Sequence, residues 1–344
     1  MFRSKNIEEM QETGAGIVSS ETKTGIHGLC SDIPTNANIY ANDSAKKMSI
    51  ETDIAEFDCS EELAQQSKTN FYYSFTFLPK DEREAIHTVY AFCRHIDDIV
   101  DEADAGTSEE IIKKRKKLAE WRKAIDGMYT GKPHSAYLKP LQSAIKRFSI
   151  PKQYFMTLID GCERDLRQKR YESFTELKEY CYGVAGIVGL MCIEIFGYKY
   201  EETKEYAVNL GYALQLTNIL RDLKADKDRG YIYLPREDME KFRYSESDLM
   251  NEVYNEKFIE LMRYETRRAR EYYHKARMAL RPDERMTMIA AEIMDAIYYR
   301  LLEKIELNDF DVFKKQIRVS TIHKIAIAFK HWISTSIFVG RIKQ

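Results

Sequence analysis

The stretch TVYAFCRHIDDIVDEAD, residues 88–104, runs from an apolar and aromatic segment directly into five carboxylates. On a helix, residues three and four positions apart share one face, so Asp97 and Asp101 lie on the same face as Cys93. The apolar stripe continues backwards from Cys93 in the same register. The two acids therefore extend a core-facing stripe, and we expect them to point into a helical bundle with Asp98 beside them.

A second acidic face is predicted in GYALQLTNILRDLKADKDRGYIYLP, residues 211–235. Its members recur at intervals of three or four residues: Gly211, Gln215, Asn218, Asp222 and Asp226. This face begins small and apolar and ends in oxygen ligands. Arg94 and Arg221 stand beside the two acidic faces, one in each segment.

Two acidic faces in one helical chain predict a cation site. Asp-rich helix ends are common and usually solvated, and that interpretation stays open for each cluster alone. Solvated helix ends are a weaker explanation for two clusters that each continue a core stripe. Like charges inside a protein are costly unless a cation neutralises them. Mg²⁺ typically binds one or two carboxylates together with substrate phosphates. The residue chemistry therefore predicts a Mg²⁺-bridged phosphate or diphosphate site between two helices, with the arginines placed to take up charge from a leaving phosphate.

Aromatic and small residues recur in FYYSFTFLP (71–79), YCYGVAGIVGLM (180–191) and AIYYRLL (296–302). Core packing explains each aromatic residue taken alone. Together the rings could line a deep apolar slot and stabilise a cation through their faces. The small residues around Gly186 would let a long apolar ligand lie close to a helix. A diphosphate head with an apolar tail is an isoprenoid diphosphate.

The composition favours a helical protein. The chain has 344 residues, a formal net charge of −2, and only 15 Gly and 7 Pro, so long helices are favoured over strands and turns. The near-neutral charge argues against a nucleic-acid binder. Six cysteines are scattered singly without metal-ligand spacing, which is typical of a reducing cytosol. No apolar run reaches the about 18 residues of a membrane span, so any membrane contact is expected to be peripheral.

The chain divides into two regions of different composition. Residues 1–58 are rich in Ser, Thr, Asn and Gly and show little periodicity. We expect a poorly ordered extension there, with a partner-binding tail as the alternative. Residues 59–344 carry a nearly continuous helical pattern and are expected to form a single all-α domain.

Two basic segments each allow two interpretations. The run KKRKK, residues 113–117, is most simply a solvated helix face, with an anionic-membrane patch as the alternative. The segment KIAIAFKHWISTSIFVGRIK, residues 324–343, alternates apolar and basic residues. It is either a final core helix with exposed lysines or a helix that binds a membrane interface.

The chain resembles the squalene/phytoene synthase family, whose members perform head-to-head prenyl transfer. Three long motifs in the family's order carry the resemblance: YAFCRHIDDIVDE (90–102), YCYGVAGIVGL (180–190) and LQLTNILRDLKADKDRGYIYLP (214–235). The likeness extends from about residue 65 to about residue 330. It implies an all-α isoprenoid synthase helical bundle around a central cavity.

The resemblance also implies roles for individual residues. The implied metal ligands, holding two or three Mg²⁺ ions with the substrate diphosphates, are Asp97, Asp98, Asp101, Asn218, Asp222 and Asp226. The implied catalytic residues are Tyr180, Asp165, Tyr298, Arg94 and Arg221. The implied substrate-binding residues are Lys68, Thr69, Asn70, Tyr73, Arg94, Gln215, Arg221 and Tyr298. One departure is Ala225, where many members carry Glu, but the spacing of the second ligand set is unaffected.

Among the members, the chain resembles most the bacterial presqualene diphosphate synthases of the hopanoid pathway. Five segments carry this likeness: TNFYYSFTFLP (69–79), KKLAEWRKAI (116–125), LIDGCERDL (158–166), GLMCIEIFGY (189–198) and AEIMDAIYYRLLEKIELNDFDVF (291–313). Such an enzyme condenses two farnesyl diphosphates and is not expected to need NADPH. The alternatives within the family are a 15-cis-phytoene synthase acting on two geranylgeranyl diphosphates, and a squalene or dehydrosqualene synthase. A helical scaffold without catalysis and a terpene cyclase acting on one prenyl unit are alternatives of other classes.

The charge, the cysteine usage and the basic segments, together with the resemblance, lead to expectations about partners and a place in the cell. The expected partners are prenyl diphosphate substrates and downstream isoprenoid enzymes, with a peripheral membrane contact and no nucleic acid. The expected location is the cytoplasm, including the inner face of the membrane.

Overall fold

The computed structural model describes residues 70–102, 107–132 and 135–342, with side chains described between residues 73 and 335 of those ranges. This part of the chain consists of α-helices, short 3₁₀ turns and one π-helical turn, without a strand. The predicted all-α fold class is confirmed. The predicted extension over residues 1–58 lies outside the described residues, so its boundary with a domain over residues 59–344 stays a prediction.

The helices are numbered here in chain order. They are α1 Asn70–Phe75, α2 Lys80–Asp101, α3 Ser108–Tyr129, α4 Lys139–Phe148, α5 Lys152–Arg164, α6 Phe174–Cys181, α7 Ile187–Phe196, α8 Glu202–Asp228, α9 Arg236–Lys241, α10 Glu246–Met250, α11 Glu256–Ala279, α12 Ile289–Leu307 and α13 Thr321–Ile342. The π-helical turn Tyr182–Gly186 joins α6 to α7. Short 3₁₀ turns cover Ala136–Leu138 and Pro282–Glu284.

Helix α2 carries the first acidic motif at its C-terminal end. It begins after Pro79 and has Asp81 and Glu82 in its first turn, where carboxylates meet the positive end of the helix dipole. Its middle is buried and packs against α4, α5 and α7. The same helix that builds the core therefore turns Asp101, in its last turn, towards the interior.

Lys114 of α3 meets the carbonyls at the end of α2. Its Nζ donates to the carbonyl oxygens of Val100 at 3.0 Å and Glu102 at 2.6 Å. The prediction that residues 113–117 form a wholly solvated face is therefore wrong at Lys114. A cation is favoured at this position because the carbonyls of a helix C-terminus lack intrahelical partners and carry the negative end of the dipole.

Helix α8 is the central helix, and nearly every residue in its middle is buried. It packs along α11 and against α7, the π-helical turn and α12. Two glycines permit a close approach of backbones. A Cβ added at Gly189 would lie 2.5 Å from the carbonyl oxygen of Ala207, and one at Gly211 would lie 2.7 Å from that of Ala185. The segment from the π-helical turn into α7 is thereby held directly against α8.

One helical stretch of the described chain, Phe174–Phe196, is long and apolar enough to cross a membrane by length and composition. It comprises α6, the π-helical turn and α7. It contains Lys178 and Glu179, which is why the sequence shows no uninterrupted apolar run. Because 72% of its most apolar window is buried inside the protein, the stretch is best explained as a core helix.

Candidate active site

The second acidic face lies around a small polar cavity of about 260 Å³. Its lining residues are Gln215, Asn218, Ile219, Arg221, Asp222, Asp226 and Tyr233. All of them are buried. Helix α8 brings its polar members together because their spacing of three and four residues places them on one helix face. The structure therefore contains the predicted grouping, while the role of its members as metal ligands stays a prediction.

The first acidic face approaches the second through Arg229. Its guanidinium lies 3.3 Å from Asp101 Oδ2, in the last turn of α2, and 2.8 Å from Asp226 Oδ1, near the end of α8. Asp97, one turn before Asp101, is half-buried. One cation thus joins the two acidic faces. Sequence analysis did not single out Arg229, although its place three residues after Asp226 puts both on neighbouring positions of one helical turn.

Two further arginines pair with acids of the predicted ligand set. Arg94 Nη2 lies 2.6 Å from Asp98 Oδ1, and Arg221 binds both oxygens of Asp222, with Nε–Oδ1 at 2.7 Å. Burial by itself would lower the pKa of Arg221, but Asp222 outweighs it and holds the pKa above its ordinary value. Arg221 therefore keeps its charge in a buried position. Asp98 is exposed whereas Asp101 turns inward, so the acids of the first motif do not share one environment.

The donor set suits Mg²⁺ that is completed by a phosphate ligand rather than a metal held by protein alone. In the described ranges, no three His, Cys, Asp or Glu side chains form a group that could hold a metal ion. The amide of Asn218 and Oε1 of Gln215 are buried and have no hydrogen-bond partner among the residues described. Buried polar atoms in proteins usually have a hydrogen-bond partner. Mg²⁺ commonly takes one or two carboxylates with water and phosphate oxygens, and the residues present therefore fit a Mg²⁺–diphosphate group.

A second polar cluster joins two of the predicted catalytic residues. Tyr180 Oη donates to Asp165 Oδ2 at 2.9 Å, and Tyr233 Oη donates to Asp165 Oδ1 at 3.1 Å. The two rings stack with their centroids 5.3 Å apart. The buried carboxylate of Asp165 therefore positions both tyrosines. Sequence reasoning missed Tyr233, which lines the polar cavity. Its position in GYIYLP, at the end of the second motif, was the available signal.

Tyr298 of α12 was also predicted at the site. It is buried on α12, which packs against α8. It is not among the residues that line the polar cavity, and its catalytic role stays a prediction.

The remaining predicted residues, Lys68, Thr69, Asn70 and Tyr73, lie just before or at the start of the described residues. The ring of Tyr73 on α1 lies beneath the ammonium of Lys324, 5.7 Å from its centroid, and does not line the polar cavity. Lys68 and Thr69 lie outside the described residues, and only the backbone of Asn70 is described. Their predicted contacts with a diphosphate stay predictions.

An apolar cavity of about 490 Å³ adjoins the polar one along α8. Helices α1, α7, α8 and α12 line it, with side chains that include Phe75, Val188, Ile193, Leu210 and Met294. Gly211 and Leu214 face this cavity, whereas Gln215 and Asn218 in the next turn of α8 face the polar one. Acids and arginines thus stand at one end of a continuous helix face and apolar walls at the other. The arrangement suits a ligand with an anionic head and a long apolar tail.

Comparison with known proteins agrees with this arrangement. A sequence model described as squalene/phytoene synthase matches residues 64–323. The chain is 34% identical over 291 residues to the 15-cis-phytoene synthase of Synechocystis sp.. This alignment covers 81% of this chain and 85% of that protein. It is 36% identical over 283 residues to the phytoene synthase of Arthrospira platensis, in an alignment that covers 78% of this chain and 89% of that protein.

Solved structures show the same fold. A dehydrosqualene synthase in complex with a ligand superposes with a TM-score of 0.71 at 26% identity, covering 84% of this chain and 99% of that one. The squalene synthase HpnC from Alicyclobacillus acidocaldarius superposes with a TM-score of 0.66 at 24% identity, covering 76% and 96%. The acidic faces, the adjoining apolar cavity and these similarities lead to one conclusion: the chain belongs to the squalene/phytoene synthase family.

Proposed function

We propose that this chain joins two prenyl diphosphates head to head with release of diphosphate. The observation that carries the proposal is the succession, along α8, of an apolar cavity and a polar cavity lined by Asp222, Asp226 and Arg221. A prenyl diphosphate has the complementary pair of groups, an apolar chain and an anionic head. Family membership supplies the reaction class.

In the proposed reaction, the C–O bond to one diphosphate breaks and leaves an allylic cation. The double bond of the second prenyl chain attacks this cation, and loss of a proton closes a cyclopropane that still carries one diphosphate. This intermediate is presqualene diphosphate when the substrate is farnesyl diphosphate. For phytoene, the second C–O bond also breaks, the carbon skeleton rearranges, and loss of a second proton forms the central double bond. Arg94 and Arg221 are placed to bind diphosphate oxygens as charge builds on the leaving group. Mg²⁺ bound with the diphosphates would neutralise part of that charge. The apolar walls keep water from the cation.

The length of the prenyl substrate separates two candidate products. Identities of 34% and 36% to proteins named phytoene synthases favour geranylgeranyl diphosphate and a phytoene product. The five segments that resemble presqualene diphosphate synthases favour farnesyl diphosphate and presqualene diphosphate instead. We place the phytoene reaction first, because the similarity behind it extends over 81% of the chain, whereas the five segments cover a smaller part of it.

The test incubates the purified full-length chain with Mg²⁺ and either farnesyl or geranylgeranyl diphosphate, without NADPH. Diphosphate release is measured and the product is identified by mass spectrometry. Phytoene from the longer substrate supports the first candidate, and presqualene diphosphate from the shorter one supports the second. A product made from a single prenyl unit, or no release from either substrate, refutes head-to-head condensation.

Substitution tests the acidic faces. Asp97→Ala and Asp222→Ala are each expected to lower turnover by roughly a hundredfold or more, because the charge of the leaving group loses its electrostatic stabilisation. The helical circular dichroism spectrum should not change. Asp160→Ala is the matched control, since Asp160 is an exposed acid on α5 that pairs with Arg122 at 2.6 Å. Turnover at the wild-type rate in either site variant contradicts the assignment.

We also propose that the protein works in the cytoplasm. The cysteines within the described residues, Cys93, Cys162, Cys181 and Cys192, are all free thiols. Unpaired buried thiols are typical of a reducing compartment. Fractionation of the producing cell tests this location, and recovery of the chain from an oxidising compartment contradicts it.

A further inference from the structure

The C-terminal helix α13 presents its large apolar side chains to the outside. Exposed by 36 to 78%, they are Ile322, Ile325, Phe329, Trp332 and Ile333. They recur at three- and four-residue intervals and form one face, called here the α13 stripe. Five of the twelve large apolar side chains exposed in the described part of the chain stand on this one helix. They are therefore a contiguous patch rather than isolated surface residues.

The buried face of α13 is the less apolar one. Ala328 and Thr335 are buried, and His331 is half-buried close to Asp295 of α12. Ile327, which precedes Ala328, is partly buried and packs against the core. A helix that only completes a core places its large apolar residues inward and its polar residues outward. Helix α13 does the reverse, so the interpretation of a core helix with exposed lysines does not account for it.

The same end of the chain is strongly basic. Residues 312–344 contain seven Lys and Arg and no Asp or Glu, while the whole chain has a net charge of −2. Residues 1–311 therefore carry −9 and residues 312–344 carry +7. On α13 itself, His323 and Lys330 are exposed beside the stripe. A local positive excess on an acidic protein favours an anionic partner.

The α13 stripe also lies beside the apolar cavity. The indole of Trp332 stacks on Phe77 with ring centroids 5.8 Å apart, and Phe75, two residues earlier, lines the cavity. If the proposed function holds, the product is a long apolar chain that must pass into a lipid phase. Only this last connection rests on the proposed function. The outward stripe and the charge stand without it.

We propose that the α13 stripe docks this protein on the surface of an anionic lipid bilayer, with α13 lying in the plane of the interface. The apolar side chains would enter the boundary between headgroups and acyl chains. The neighbouring Lys, Arg and His residues would attract anionic lipids, in an interaction that salt screens. A nucleic acid would use the positive charge but leave the apolar stripe uncovered, so a lipid surface satisfies both observations.

Vesicle flotation with the full-length chain tests the proposal. Binding is expected to phosphatidylcholine vesicles that contain phosphatidylglycerol, and it should weaken as NaCl is raised. The chain holds two tryptophans, of which Trp121 is fully buried and Trp332 stands on the stripe. Tryptophan emission should shift to shorter wavelength on binding and be quenched by brominated lipids. Trp332→Phe should abolish both changes while binding persists.

A pair of double variants separates the stripe from general surface hydrophobicity. Ile325→Ser with Phe329→Ser should bind anionic vesicles roughly tenfold or more weakly, because two large apolar side chains no longer leave water. The control, Ile112→Ser with Met278→Ser, removes side chains that are 65% and 73% exposed elsewhere on the surface. The control should bind as the unaltered protein does. Turnover of soluble substrate should be unchanged in both.

Four results overturn the proposal. Equal binding by the two double variants would show that the stripe is not the contact. Equal binding to pure phosphatidylcholine would show that attraction to anionic lipids does not contribute to binding. No binding by the full-length chain would refute docking of the stripe on a bilayer. A change from dimer to monomer in the stripe variant without vesicles, seen by sedimentation, would assign the stripe to contact between two copies.

Discussion

Replacing Arg229 by Gln should lower the free energy of unfolding of the metal-free protein. The guanidinium lies between Asp101 and Asp226, whose side chains are only 5% and 6% exposed, so its loss leaves two buried carboxylates near each other. Removing one partner of a buried ion pair typically costs about 3–5 kcal/mol. The Arg229 side chain is itself 34% exposed, and solvent there screens the interaction, so we expect a loss of about 1–3 kcal/mol.

Urea unfolding in EDTA, followed by circular dichroism, should report this loss as a lower midpoint with an unchanged slope. Adding Mg²⁺ should then stabilise Arg229→Gln more than the unaltered protein. A bound cation would take over the neutralisation that Arg229 provides, and a ligand of the folded state raises stability with its concentration. Because the readout is stability, it does not depend on turnover.

Arg236→Gln is the matched control. Arg236 pairs with Glu240 at 2.9 Å on the surface, and the two side chains are 66% and 65% exposed. Its loss should cost less than about 1 kcal/mol and should not respond to Mg²⁺. Two results contradict the expectation for Arg229: unfolding of Arg229→Gln at the unaltered midpoint in EDTA, or equal stabilisation of the variant and the unaltered protein by Mg²⁺.

Two further predictions concern buried polar groups. Tyr233→Phe leaves one oxygen of the buried Asp165 carboxylate without its phenol donor, so thermal unfolding should show a loss of about 1–3 kcal/mol. Tyr231→Phe, which removes a longer bond of 3.3 Å to the Asp165 carbonyl, should cost less, and an equal loss in both would contradict the account. Burial raises the pKa of Glu265 to about 8 against an ordinary value of 4.5, although Arg268 opposes the shift. The folded protein therefore holds this proton more tightly than the unfolded chain. Stability should fall as pH rises from 4.5 to about 8, Glu265→Gln should flatten that part of the curve, and an unchanged decline would refute the assignment.

Helical periodicity was sufficient to predict the grouping of the second acidic face. The spacing of Gln215, Asn218, Asp222 and Asp226 places them on one helix face through local geometry alone, and all of them line one cavity. The apolar stripe before Asp101 likewise predicted that this acid turns inward. Local patterns of this kind need no knowledge of what packs against the helix.

Contacts between distant segments were not predictable in the same way. Arg229 meets Asp101 across 128 residues of chain, and Tyr233 reaches Asp165 across 68. Lys114 turns from an apparently solvated basic run to the end of α2. Each contact depends on where one helix ends relative to another. A long polar side chain can reach several partners, and the positions of those helix ends decide which one it contacts.

The sequence by itself determined the helical class, the two acidic faces and the family, because helix periodicity and motif order are written in neighbouring residues. Only the tertiary structure decided that Arg229 joins the two faces, that the polar and apolar cavities follow one another along α8, and that α13 turns its large apolar residues outward. An alternation of apolar and basic residues fits either orientation of a terminal helix. Which face is covered depends on the surface that α1 and α12 present to it.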